Sequence, residues 1–158
     1  MKGMDFKKEM WDVLRDIRDN MDNFFRPIIE EHGLTMMQAR ILMVVKYYER
    51  PTVGCLCGEI GLSSGNASSM CKKLEKAGFL KRNRDPNDER YVALSLTERG
   101  EAAMQMIGDA FEKKYGQVLA NKSDEEFAEL IAGMKKLKSG KRKTPCREPK
   151  RSFSIRVF

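Results

Sequence analysis

The sequence contains one histidine and one tryptophan among 158 residues. A single imidazole, His32, gives little scope for histidine-based catalysis or a histidine-rich metal site, and its place after the first helical pattern fits a helix end. No apolar run approaches the roughly 20 residues that span a bilayer, so no membrane contact is expected. Met1 to Glu9 alternates charge with isolated apolar residues and lacks the apolar stretch of a signal peptide. The chain is therefore expected in the cytoplasm, where Cys55, Cys57, Cys71 and Cys146 should stay mostly reduced. Nucleophile–base pairs, glycine-rich phosphate loops and paired acidic motifs are all missing. Neither an enzyme nor a bound cofactor is expected.

Positive charge is also lacking where the total suggests it. The formal net charge is +7, yet Lys135 to Phe158 alone holds ten Lys/Arg against one acid, Glu148. The preceding 134 residues carry 20 Lys/Arg and 22 Asp/Glu and are slightly acidic. A nucleic-acid-binding surface on the body must therefore be local, because net charge cannot supply it.

What is present is helical periodicity. Phe6, Met10, Val13, Leu14, Ile17, Met21, Phe24, Phe25 and Ile28 recur at spacings of three and four, which predicts one long helix from Met4 to Glu31, kinked or ended by Pro27. Thr35 and Gln38 form a capping box before a helix carrying Ile41, Leu42, Val45 and Tyr48, which stops before Pro51. Thr52 caps a short helix, Val53 to Ile60, whose inward face is expected to be Leu56, Cys57 and Ile60, and Gly61 breaks it. Ser63 then caps a helix running to about Lys76. Its apolar stripe is Ala67, Met70, Cys71 and Leu74, and Gly78 ends it. Phe79 to Arg84 and Tyr91 to Leu96 read as a hairpin around the turn-rich 85–89. Thr97 caps a helix to about Leu119, and Ser123 with Glu126 opens another to Leu137. The rest is basic and aperiodic, a flexible tail by composition.

Helix, tight turn, polar-faced helix and charged hairpin, in that order, make a winged helix-turn-helix. The second helix buries one stripe and presents Ser64, Asn66, Ser68, Ser69, Lys72 and Lys73 on the other side. Short side chains let its backbone approach a DNA groove, and its N-terminus at Ser63 turns free amides toward phosphate. Serine and asparagine can bond base edges, and the two lysines suit phosphates. The hairpin adds Lys81, Arg82, Arg84 and Arg90, of which an arginine can enter a narrow minor groove.

Leu74-Glu75-Lys76-Ala77-Gly78-Phe79-Leu80-Lys81-Arg82, Asp85-Pro86-Asn87-Asp88-Glu89-Arg90 and Leu96-Thr97-Glu98-Arg99-Gly100 together resemble the MarR family of multiple antibiotic resistance regulators. The likeness covers about residues 6 to 137. It implies that Asp88 orients Arg90 into the minor groove. It also implies a homodimer joined through the terminal helices, and a small aromatic or anionic effector. Two positions depart from the pattern: Ser69 stands where the family often has Arg or Lys, and Cys57 where it usually has a small residue such as Ala.

The fold expected is mainly α with a small β-hairpin wing, dimeric through its N- and C-terminal helices. Residues 1–33 would form a dimerisation helix, 34–97 the DNA-binding lobe, 98–137 the C-terminal dimerisation helices and 138–158 the tail. The function expected is a ligand-responsive regulator, a repressor, binding an inverted repeat in double-stranded DNA. Trp11, Phe24, Met43 and Tyr47 are candidates for an effector pocket, and core packing explains each equally well. Two alternatives share the fold: a cysteine-based redox or metal sensor, and a helical adaptor that has lost DNA binding.

Overall fold

The computed structural model of the protein describes residues 3–84 and 92–137. These fall into two compact units, Met1–Met36 and the remainder from Met37.

In the first unit, α1 (Gly3–Asn20) passes into a π-helical turn, Met21–Phe25, and then into α2 (Arg26–Glu31). The expected break at Pro27 thus becomes a change of winding just before it. Pro27 occupies the first turn of α2, directly after the wider turn, and lacks the N–H that a continuous helix would direct at an upstream carbonyl. Gly33 ends the segment at φ 69°, with the Leu34 amide bonded to the Ile29 carbonyl at 3.3 Å. Phe25, Ile29 and Leu34 are buried, whereas Phe6, Trp11, Val13, Leu14 and Ile17 on α1 are 49–68% exposed.

The second unit begins with α3 (Met36–Tyr47), α4 (Val53–Ile60) and α5 (Ser64–Lys76). Thr52 caps α4 by accepting the Cys55 amide, and Gly61 closes it in the left-handed region. β1 (Leu80–Arg84) and β2 (Val92–Leu96) pair antiparallel, with Leu80 opposite Leu96 and Arg84 opposite Val92. Thr52 bridges to Ala93 and Leu94 N–H donates to Pro51 O, so the loop before α4 flanks the hairpin. Arg50, at φ 48°, turns the chain into that loop.

α6 (Glu98–Ala120) and α7 (Asp124–Leu137) follow. The Ser123–Glu126 capping box forms as expected: each backbone N–H is taken by the other's side chain, at 2.8 and 3.2 Å. Ile41, Leu42, Leu56, Ala67, Cys71 and Leu74 have no exposed surface, and Leu80, Phe79, Leu94, Ala103 and Met104 are among the core residues beside them. No helix among the described residues is long and apolar enough to cross a membrane.

One expectation for the cysteines needs correction. On α4 the buried residues are Cys55 and Leu56, while Cys57 and Ile60 are only half-buried. An eight-residue helix spans barely two turns, so its periodicity leaves the inward direction loosely defined, and packing on α5 and β2 sets it. Cys57 and Cys71 are free thiols. Cys146 lies outside the described residues.

Candidate nucleic-acid interface

The α5 face follows from its buried stripe. Ala67, Cys71 and Leu74, at i, i+4 and i+7, are wholly buried, so the opposite side must face outward. Ser64, Asn66, Ser69, Lys72 and Lys73 are exposed there and Ser68 is half-buried. Met70, expected on the stripe, is half-buried at its edge. Ser63 Oγ accepts the Asn66 amide at 3.4 Å, and the Ala67 amide begins the helical ladder on Ser63 O at 2.9 Å. The amides of the intervening first turn point along the axis with the positive dipole end, an arrangement suited to an anion.

At its other end α5 closes in a Schellman motif. The Phe79 amide bonds Leu74 O and the Gly78 amide bonds Glu75 O, both at 2.9 Å, with Gly78 at φ 78°. The chain enters β1 directly. Lys81 and Arg84 are exposed on the hairpin, as sequence reasoning expected of wing cations. Arg82 is different: its side chain is only 13% exposed and lies 3.8 Å from Glu75 Oε2. The Arg82 backbone N–H also donates to Glu75 Oε1 at 3.1 Å. Asp88 and Arg90 lie outside the described residues.

A second junction, which sequence reasoning passed over, ties this corner to α6. Thr97 Oγ1 donates to Gly78 O at 2.6 Å, and the Thr97 amide donates to Phe79 O at 3.1 Å. Arg99 donates to Ala77 O at 2.9 Å, with its guanidinium 4.5 Å above the Phe79 ring. The signal was the run Thr97-Glu98-Arg99-Gly100, of which only the cap at Thr97 was legible as chemistry.

The profile of the transcriptional regulator SarA/Rot family matches residues 23–107, over half the chain. The regulator SarZ of Staphylococcus epidermidis is 31% identical over 103 residues, 65% of this chain and 68% of SarZ. This chain belongs to the SarA/Rot family. Members of this group are MarR-like in fold, which bears out the resemblance seen in the sequence. Among solved structures, Staphylococcus aureus MarR in complex with salicylate and kanamycin superposes with a TM-score of 0.67 at 21% identity, covering 84% of this chain and 89% of that one. A mutant of MarR from E. coli complexed with operator DNA gives 0.62 at 20% identity, over 88% and 100% of the two chains. At such identities the likeness is one of fold: a winged helix, mostly helical with a two-stranded wing. As a SarA/Rot regulator the protein acts in transcription and is not an enzyme.

The four effector-pocket candidates of this SarA/Rot regulator divide between the two units. Trp11 is 68% exposed on α1, and Phe24 meets Phe25 edge-on at 5.1 Å. Met43 and Tyr47 lie one turn apart on α3, the first 43% exposed and the second half-buried. Burial, and then the nearby Glu101 carboxylate, push the Tyr47 phenol above its usual range. Cys71 is a buried free thiol. Burial raises it to about 11, so almost none of it is thiolate at neutral pH. Among the described residues no group of three or more potential ligands could hold a metal ion.

Proposed function

We propose that the protein is an effector-responsive repressor that binds an inverted-repeat operator in double-stranded DNA as a homodimer. The observation that carries this is the small, exposed polar face of α5 behind a capped N-terminus, backed by a fully buried stripe. In this reading Ser64, Asn66, Ser68 and Ser69 meet base edges in the major groove, and Lys72 and Lys73 meet phosphate. Arg84 and the Asp88–Arg90 pair serve the wing's minor-groove contact.

Dimerisation explains the apolar surface left uncovered on α1, α6 and α7. Trp11, Ile17, Met106, Leu130 and Met134 are each more than half exposed. So much apolar surface favours a partner, and a second copy gives the two-fold symmetry that an inverted repeat needs. A small aromatic or anionic effector would act by biasing the separation of the two recognition helices. The salicylate held by the S. aureus MarR structure supports that class of ligand.

The test is fluorescence anisotropy with DNA from upstream of the protein's own gene, read beside light scattering. A dimer that binds this DNA above a scrambled duplex is expected, and salicylate should weaken it. A dimer with no preference for any upstream DNA sinks the reading.

A further inference from the structure

Arg82 is the wing cation that does not behave as one. Lys81 and Arg84 beside it are exposed, while its side chain is turned in and reaches Glu75, near the C-terminal end of α5. Glu75 is thereby engaged twice by one residue, through the Arg82 amide at 3.1 Å and the guanidinium at 3.8 Å. Arg82 Nε is buried with no hydrogen-bond partner among the described residues. A guanidinium neutralised by an adjacent carboxylate and largely withdrawn from water displaces few counterions from DNA. Reaching a phosphate would require breaking the pair and leaving Glu75 facing the DNA as a bare anion.

The backbone geometry says what the pair does instead. Arg82 stands opposite Leu94 in the hairpin register. Both amides of this rung are spent outside the ladder, Arg82 N–H on Glu75 and Leu94 N–H on Pro51 O at 2.8 Å. One rung is thus moored on both sides, to α5 and to the loop before α4. In a two-stranded ribbon, which is pliable by itself, such a mooring sets the direction in which the strands leave the body.

We propose that Glu75 and Arg82 are a positioning pair that fixes the angle of the wing to the recognition helix, and that Arg82 is not a DNA contact. This rests on the DNA-binding reading above.

The experiment measures operator affinity of the full chain against salt for Arg82→Gln, Glu75→Ala, Glu75→Gln, the double variant Glu75→Ala/Arg82→Gln, and Arg84→Gln as control. Loss of one phosphate contact lowers the slope of log K on log salt by about 0.9, which is expected for Arg84→Gln. Arg82→Gln and Glu75→Ala should each weaken binding about tenfold with the slope unchanged, and the double variant should be no worse than the worse single. Hydroxyl-radical footprints should lose the minor-groove protection flanking the site and keep protection at the centre of each half-site. Glu75→Gln keeps an acceptor for the Arg82 amide, so it should fold even if Arg82→Gln does not, and should show the same selective loss to a smaller extent.

A slope that falls by about 0.9 in Arg82→Gln, or additive losses in the double variant, overturns the positioning role and leaves DNA binding intact. Uniform weakening of the whole footprint in Glu75→Gln overturns it as well. An unaltered chain that binds no operator overturns the DNA-binding reading and this role together.

Discussion

A β-carbon on Gly100 would run into the carbonyl oxygen of Phe79. That oxygen already accepts the Thr97 amide, so the first turn of α6 lies directly against the exit of α5. Arg99 and Thr97 complete the junction by bonding Ala77 O and Gly78 O. Backbone and side-chain groups of Thr97 and Arg99 thus both join the start of α6 to the C-terminal end of α5.

Gly100→Ala should cost about 1–3 kcal/mol of stability, since the obstacle is backbone and cannot rotate away. Gly78→Ala tests the other kind of glycine. Nothing lies within 4 Å of its absent β-carbon, and only its φ of 78° is unfavourable, so the loss should be nearer 1 kcal/mol. Urea unfolding of both variants checks the order. Equal losses, or a larger one for Gly78→Ala, would contradict the close approach.

Arg90→Ala should weaken operator binding at least tenfold and leave the dimer intact, as measured by anisotropy and light scattering. Unchanged affinity would remove the wing from the interface.

Cys71 makes a chemical and a pH prediction. At pH 7.5 the native protein should leave Cys71 unalkylated by iodoacetamide, and denaturant should expose it, as peptide mass spectrometry would reveal. Its thiol rises from 9.0 to about 11 on folding, chiefly by burial. The unfolded chain therefore loses this proton first as pH rises. The contribution is complete below pH 9 and is lost between about pH 9 and 11. Cys71→Ala should flatten that part of the alkaline stability profile. Rapid alkylation of native Cys71 at neutral pH would instead support cysteine-based redox sensing.

Trp11 is the single tryptophan and is 68% exposed on α1. If α1 joins two copies, diluting the protein through its dimer dissociation should shift Trp11 emission to the red. Trp11→Glu should lower the mass seen by light scattering to that of one chain. Dimers that survive this change would move the interface away from this part of α1.

Acid should act on the cap of α7. The Ser123 backbone N–H, and then Lys122, hold the Glu126 carboxyl below its usual 4.5. A lowered carboxylate stabilises the folded form above its unfolded value, and that contribution fades as pH falls below 4.5 through the folded one. An NMR titration should place Glu126 below 4.5, and Lys122→Ala, which removes the second of these donors, should bring it part of the way back. A titration at the ordinary value in the unaltered chain would mean that the capping box does not hold in solution.

Periodicity and capping chemistry act over a few residues, and these the sequence settled alone. Ser63, Thr97 and the Ser123–Glu126 box start helices where they were expected to, and Gly61 and Gly78 end them. The buried stripe of α5 was likewise readable, because thirteen residues make more than three turns and Ala67, Cys71 and Leu74 can share only one side. Where an element was short or its partner distant in sequence, only the tertiary structure decided. On α4 the packing of neighbouring elements chose Cys55 over Cys57 for the core. Local pattern set Arg82 among the wing cations beside Lys81 and Arg84, and nothing in a strand of five residues says which of its charges turns inward. Glu75 decided that from seven positions away, by taking both the amide and the guanidinium of Arg82. The fold was local enough to read; which of the wing's charges turns inward depended on an acid one element away.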